Sequence, residues 1–256
     1  MTRRSEFLSA PWIHHQSIGS TNAFLMDYPE TSFLEGITCS ADEQTHGRGR
    51  GDRIWTSPTG GIYMSFLLCP PVAVSQWKLV SMLLAYAAAC TIRTVYPDVE
   101  PRLKWPNDIL INRRKVAGVL VQSRLSGKKR LVAGIGINAT TPPEKLPVRP
   151  LFPATVLNLE SRFPVSVMEL RKNLREQFLI LYETWIHDPQ SIIPRWTSLS
   201  SMENCIVSLN TDHGAITGRF AGIDSDGSLL LLCDHDSKTR AFTTGDVVTL
   251  CDIEGD

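Results

Sequence analysis

The chain has 256 residues, 26 basic and 26 acidic side chains, and 43% apolar residues. That length fits one large domain or one large and one small, and the apolar fraction supports a sizeable core, which excludes a disordered chain. Zero net charge lacks the basic excess of a duplex nucleic-acid binder, and six scattered cysteines without a CxxC pair read as small core hydrophobes in a reducing compartment.

The opening MTRRSEFLSAPW carries no long apolar run of the kind that makes a secretory leader, so the expected location is the cytoplasm. HHQSIGSTNAFLMDYP predicts a short strand, then a helix that Ser20 or Thr21 caps and Pro29 stops. GITCSAD is β-rich, the run THGRGRGDRIW follows, and GGIYMSFLLC predicts a strand. Ser75 to about Tyr96 predicts a buried helix. Lys78 and Arg93 interrupt its apolar stretch, which falls short of the roughly 20 residues a membrane span needs. RLKWPNDILINRRKVAGVLVQSRL predicts three strands, with Trp105 held extended by Pro106 and a tight turn at Asn112-Arg113. GKKR turns the chain into the strand LVAGIGINAT. Two or three helices follow, in which Ser166 and Glu169 make a capping box and Leu170, Leu174, Phe178, Leu181 and Trp185 keep helical spacing. From about Glu203 the pattern changes to short, closely spaced strands with turns at His213-Gly214 and Asp226-Gly227. The expected fold class is α+β: a mixed or antiparallel sheet with helices packed on it over residues 1–202, and a small SH3-like β-barrel over residues 203–256.

Several runs carry polar or glycine-rich chemistry. Gly47, Gly49 and Gly51 allow a sharply turned backbone whose amides can cradle an anion. Arg48, Arg50 and Arg53 add forked, permanent charge suited to phosphate and carboxylate. A solvated loop and single-stranded RNA contact are the competing readings of an isolated RG run. In KWPNDILINRRKVAG, Arg113 and Arg114 read as a solvated hairpin tip, whereas Lys104 and Lys115 lie between apolar neighbours in strands and call for a counter-charge. In AGIGIN, Gly134, Gly136 and Asn138 share one strand face, leaving a floor either for a close helix contact or for a flat ligand ring. In GSTN, Ser20, Thr21 and Asn22 stand at a helix N-terminus, as caps or as a polar pocket wall. His14, His15, His46, His187, His213 and His235 show no HExxH spacing, DSDG at 224–227 is a turn without the rest of a calcium loop, and GxSxG and GxxxxGK[ST] do not occur. Cations, glycines and amides without an evident nucleophile fit chemistry such as adenylation of a carboxylate by ATP. There two anions must be brought together and a reactive mixed anhydride kept dry.

Taken in their order, these runs resemble those of biotin–protein ligases, and with the small C-terminal barrel the resemblance spans nearly the whole chain. It implies that biotin and ATP, with Mg²⁺, give biotinyl-5′-AMP and pyrophosphate. The biotinyl group then passes to a specific lysine of a biotin carboxyl carrier protein, of acetyl-CoA carboxylase or a related carboxylase. By motif position the resemblance implies a biotin pocket of Ser20, Thr21, Asn22, Gln44, Arg48, Gly49, Arg50, Lys115, Gly118 and Gly136. It implies an adenylate site of Arg50, Arg53, Trp55, Asn107, Lys115 and Asn138, with Lys115, Arg48 and Arg50 catalytic and Asp108 a partner for a metal or a cation. Many members carry glycine where this chain has Asp52, an acid that could pair with Arg53. The family's regulatory members add an N-terminal DNA-binding domain, for which GSTN starting at Gly19 leaves no room. A ligase with no DNA partner and no membrane is therefore expected, with a homodimer left open. Lipoate or octanoate ligases and transferases share the fold and are the alternative, although they favour a different glycine-rich signature with a histidine. On a regular strand Lys115 and Gly118 would face opposite sides, so either a bulge intervenes or Gly118 serves packing alone.

Overall fold

Alternation in the central strands decides how the sheet divides its two faces. A computed structural model describes residues 7–32, 34–146, 152–212, 214–233 and 236–252; His213 and His235 lie outside the described residues. The large sheet runs β1 (Trp12–Ile18), β2 (Thr38–Gln44), β3 (Gly61–Leu68), β7 (Arg130–Asn138), β6 (Arg114–Arg124), β5 (Asp108–Ile111) and β4 (Arg102–Lys104). The β1–β2 pair is parallel and the other pairs are antiparallel, the mixed sheet the sequence predicts.

In β7, Leu131, Ala133, Ile135 and Ile137 join the main core, and in β3 so do Ile62, Met64, Phe66 and Leu68. Two helices cover that face: α2 (Leu79–Val95) and α4 (Val167–Trp185), with Phe66 and Phe178 rings 4.4 Å apart. The segment Val74–Val95 is 22 residues long, enough by length and apolarity to cross a membrane, contrary to the shorter reading of the sequence. It is a core helix here: Leu79, Val80, Leu83, Leu84, Ala85, Ala88 and Ile92 are buried in the main core. At the start of α4, Ser166 Oγ accepts from Glu169 N at 3.3 Å, but the Ser166 amide donates to Tyr96 Oη at 3.0 Å. A long-range tyrosine thus replaces the return half of the predicted capping box.

The opposite face carries a smaller apolar cluster under α1 (Thr21–Met26), where Leu25 packs with Ile37, Cys39, Leu67 and Val132. Burial pushes the Cys39 thiol up to about 12, so it is an inert core group, as predicted for the cysteines. Further along this face Val132 gives way to Gly134, Gly136 and Asn138 on β7, and a cleft opens.

The C-terminal strands form a five-stranded antiparallel sheet in the order β11 (Thr239–Phe242), β10 (Leu229–Cys233), β9 (Gly214–Ile223), β8 (Cys205–Thr211) and β12 (Asp246–Asp252). The sequence reads DSDG only as a turn, yet this turn docks the small sheet. Asp226 Oδ2 pairs with Lys78 Nζ at 2.6 Å, and Gly227 O accepts from Trp105 Nε1 at 3.0 Å. Gly227 has φ +84°, and a Cβ there would lie 2.8 Å from Leu79 Cδ2 and 3.2 Å from Met82 Sδ. Gly227→Ala therefore combines backbone strain with overpacking and is expected to cost about 1–3 kcal/mol. Urea unfolding checks this, and an unchanged midpoint would contradict tight docking at the turn.

Candidate active site

A bulge places Lys115. The β5–β6 register shifts so that Ile109 faces Ala117 but Leu110 faces Lys115, leaving Val116 as the extra residue. Lys115 and Gly118 consequently share a face: a Cβ on Gly118 would lie 3.3 Å from both Lys115 Cε and Nζ. The bulge alternative thus settles the alternation conflict in the sequence. Lys115 lies beyond the β6–β7 ladder, and residues 153–155 grip its backbone. Its amide donates to Pro153 O at 2.8 Å, and its carbonyl accepts from Thr155 N at 2.9 Å. Asn138 Nδ2 donates to Thr155 O at 3.1 Å, so this amide is committed to the same segment.

The counter-charge sought by both strand lysines is one group. Asp108 Oδ1 lies 2.5 Å from Lys115 Nζ and Oδ2 lies 2.9 Å from Lys104 Nζ, with the Asp108, Lys115 and Lys104 side chains 12%, 16% and 7% exposed. Burial pushes the Asp108 carboxyl up, but the charges and hydrogen bonds of Lys115 and Lys104 outweigh it and hold it at about 2. Among the described residues these two ammonium groups share one carboxylate, which leaves a surplus positive charge that an incoming anion relieves. Lys104 also donates to Val247 O at 3.3 Å and lies over the Phe152 ring at 4.7 Å. Asp108 was expected to partner a metal or a cation; its two oxygens hold cations. Among the described residues no group of three His, Cys, Asp or Glu side chains could hold a metal, so the residues present do not make a magnesium cage.

At the other end of the cleft, α1 presents the GSTN residues. Ser20 is the cap, its Oγ accepting from Ala23 N at 3.4 Å. The Thr21 amide and hydroxyl donate to Gln44 Oε1 at 2.8 and 3.1 Å, and Ser65 Oγ donates to Asn22 Oδ1 at 2.6 Å. Asn22 Nδ2 donates in turn to Gln122 Oε1 at 3.0 Å, and Gln44 Nε2 to Ser57 Oγ at 3.0 Å. Ser65 and Gln122 escape sequence reasoning, although a serine inside GGIYMSFLLC is a readable signal. The glycine floor divides between its two readings. A Cβ on Gly134 would collide with the Asn22 carboxamide, which is close helix packing, whereas one on Gly136 would collide with the Trp55 indole. Gly136 therefore bears a flat ring, but the ring is the protein's own. Trp55 Nε1 is buried without a hydrogen-bond partner among the described residues, and Lys115 Nζ lies 5.2 Å from that ring's centre.

The glycine–arginine run folds into a narrow hairpin: Gly49 N donates to Arg53 O at 2.7 Å and Trp55 N to Gly47 O at 3.0 Å. Its arginines rest on the small sheet. Arg50 Nη1 and Arg53 Nη2 reach Asp246 Oδ1 at 3.2 and 3.1 Å, and Arg50 also donates to Gly245 O at 3.2 Å. Arg53 thus pairs with Asp246, whereas the sequence offers Asp52, which is exposed. Each half-exposed pair contributes about 0.2–1 kcal/mol. Asp246→Asn is therefore expected to speed tryptic cleavage in the hairpin roughly two- to tenfold with little loss of global stability. An unchanged cleavage rate would show that Asp246 does not hold the loop.

These elements enclose a cleft of about 250 Å³. Ser20, Thr21, Asn22 and Gln44 line one end, Arg48, Gly49, Arg50, Arg53 and Trp55 belong to the hairpin wall, and Asn107, Asp108, Lys115, Gly118 and Gly136 also line the cleft. Asn138 lies in an adjoining recess of about 30 Å³ that Trp55 and Lys115 also line. Asn107 is structural as well as accessible: its Nδ2 donates to Val119 O at 2.5 Å. Arg114, predicted to be a solvated tip, instead pairs with Glu160 at 2.8 Å.

This fold and cleft define a member of the biotin/lipoate A/B protein ligase family, whose model matches residues 15–138, and the biotin protein ligase C-terminal domain matches residues 204–249. The bifunctional ligase/repressor BirA of Escherichia coli is 32% identical over 239 residues, covering 90% of this chain and 71% of that protein. The biotin–[acetyl-CoA-carboxylase] ligase of Paracoccus denitrificans is 31% identical over 203 residues, covering 75% and 82% respectively. The biotin protein ligase of Aquifex aeolicus, solved in complex with biotin and ATP, superposes with a TM-score of 0.79 at 26% identity, covering 94% of this chain and 99% of that one. Within the family, the chain belongs to the ATP-dependent biotin–protein ligases.

Proposed function

We propose that residues 1–202 form the catalytic unit and that its cleft joins biotin to AMP, then releases the biotinyl group to a lysine of a biotin carboxyl carrier protein in the cytoplasm. The observation that carries this reading is the surplus charge of Lys104–Asp108–Lys115, facing glycines between a polar amide–hydroxyl network and an arginine hairpin. In the first step a biotin carboxylate oxygen bonds to the α-phosphorus of ATP. The bond from that phosphorus to the bridging oxygen breaks, and pyrophosphate leaves with the electron pair. Two unit charges of one sign about 4 Å apart repel by about 1 kcal/mol in water and about 4 kcal/mol at an effective dielectric near 20. Lys115, held by Asp108, offsets that repulsion between the carboxylate and the α-phosphate, while Arg48, Arg50 and Arg53 attract the phosphates. Thr21, Asn22 and Gln44 supply donors and acceptors for the polar ring of biotin, and Trp55 covers the cleft and keeps the anhydride dry. In the second step the carrier amine attacks the acyl carbon, AMP leaves, and the amine loses a proton. Magnesium belongs with the phosphates of ATP in this scheme, because Asp108 is committed to two lysines.

The test is incubation with ATP, Mg²⁺ and a carrier domain, in the presence of biotin or of lipoate. Labelling of the carrier by biotin is expected; labelling by lipoate alone would sink the proposal.

A further inference from the structure

Glu160 is a buried carboxylate that the scheme above does not use. It is the last residue of α3 (Leu157–Glu160), and its side chain is 1% exposed. Its carboxylate gathers three donors from separate segments. Arg114 Nη2 reaches Oε1 at 2.8 Å, Asn112 Nδ2 reaches Oε2 at 2.8 Å, and Thr155 Oγ1 donates to Oε1 through a short bond. Asn112 and Arg113 form the β5–β6 turn with φ of +50° and +60°, so one arm of the carboxylate fixes that turn. The other arm fixes Thr155, whose amide and carbonyl bond to Lys115 O and Asn138 Nδ2.

Position matters here because of where Lys115 sits. It lies on a bulge, with Leu110 of β5 opposite it on one edge, but on the other edge the β6–β7 ladder begins only at Ala117, so β7 does not hold its backbone. Residues 153–155 take over that task on this edge, and Glu160, through the Thr155 hydroxyl, anchors those residues together with the Asn138 amide on Thr155 O.

We propose that Glu160 is a positioning residue for adenylate formation, acting through Thr155 to hold the Lys115 backbone where its ammonium meets the reacting carboxylate and α-phosphate. The inference rests on the proposed role of Lys115. Displacing a catalytic group by a fraction of an ångström to one ångström lowers turnover without changing how tightly the substrate is held elsewhere.

Glu160→Gln keeps the volume but removes one of the two acceptor oxygens that three donors share. Thr155→Val removes only the hydroxyl and keeps the backbone bonds, so it decides the matter if the first variant folds poorly. In biotin-dependent ATP–pyrophosphate exchange, both are expected to lower kcat about ten- to a hundredfold and leave the KM for biotin within about twofold. Amide hydrogen exchange at Lys115 and Thr155 should accelerate about tenfold while the β3–β7 ladder keeps its protection. Arg114→Ala, which leaves the Thr155 bond in place, should keep kcat within about twofold. Wild-type kcat in both variants would overturn the proposal, as would a loss of protection across the whole sheet, or an Arg114→Ala variant as slow as Glu160→Gln. Wild-type exchange in Lys115→Ala would instead remove the reading on which the proposal rests.

Discussion

Lys115→Ala is expected to lower biotin-dependent ATP–pyrophosphate exchange by about 10²–10³-fold and to leave the fold intact. On the proposed role of Lys115, the rate loss follows from removing a preorganised cation at the point where two anions would meet. Retention of the fold follows from charge counting in the same cluster. Asp108 contacts both Lys115 and Lys104, so deleting Lys115 leaves one carboxylate paired with one ammonium and removes the surplus charge. The thermal midpoint should therefore change little while turnover collapses. Exchange at the wild-type rate would remove Lys115 from the chemistry.

Asp108→Asn should have the opposite balance. It leaves two ammonium groups buried beside a neutral amide, and removing one partner of a buried ionic cluster costs about 3–5 kcal/mol. Denaturant unfolding measures the loss. A change under about 1 kcal/mol would mean that the lysines reach other partners or solvent on their own. The same carboxylate sets an acid limit. Its usual value of 3.8 falls to about 2 in the fold, because the lysine charges and hydrogen bonds overcome the burial that raises it. A depressed carboxylate stabilises the fold fully above its unfolded value and loses that contribution as pH falls through the folded value. The wild-type chain should lose this component between about pH 4 and about pH 2, and Asp108→Asn should lack it.

The site was legible wherever its chemistry conflicts with its local surroundings. Lysines between apolar strand residues, glycines on one strand face and arginines alternating with glycines each violate what a core or a surface needs, and Lys104, Lys115 and Gly136 carry such conflicts. The partners were less legible because they come from distant segments without motifs of their own. Asp246 reaches Arg50 across 196 positions, and Ser65 reaches Asn22 across 43. Glu160 sits in a four-residue helix that looks like any short connection. The bulge at Val116 left only an indirect trace, the clash between alternation and the shared role that the family resemblance implies for Lys115 and Gly118. Asn138 showed what polarity alone leaves unread: one donor of its amide bonds Thr155 O and ties β7 to the segment that grips Lys115. The α+β order, the hairpin turn at Asn112-Arg113 and the small C-terminal β unit all followed from periodicity and turn chemistry, which local sequence does encode.

The central claim is that this cleft makes and holds biotinyl-5′-AMP. A single-turnover reaction of the protein with ATP, Mg²⁺ and biotin, with no carrier present, tests it most directly when the bound products are resolved by mass spectrometry. Biotinyl-5′-AMP should remain on the protein with release of pyrophosphate, and should disappear when a carrier domain is added. Absence of the adenylate under these conditions, or its formation from lipoate and not from biotin, would contradict it.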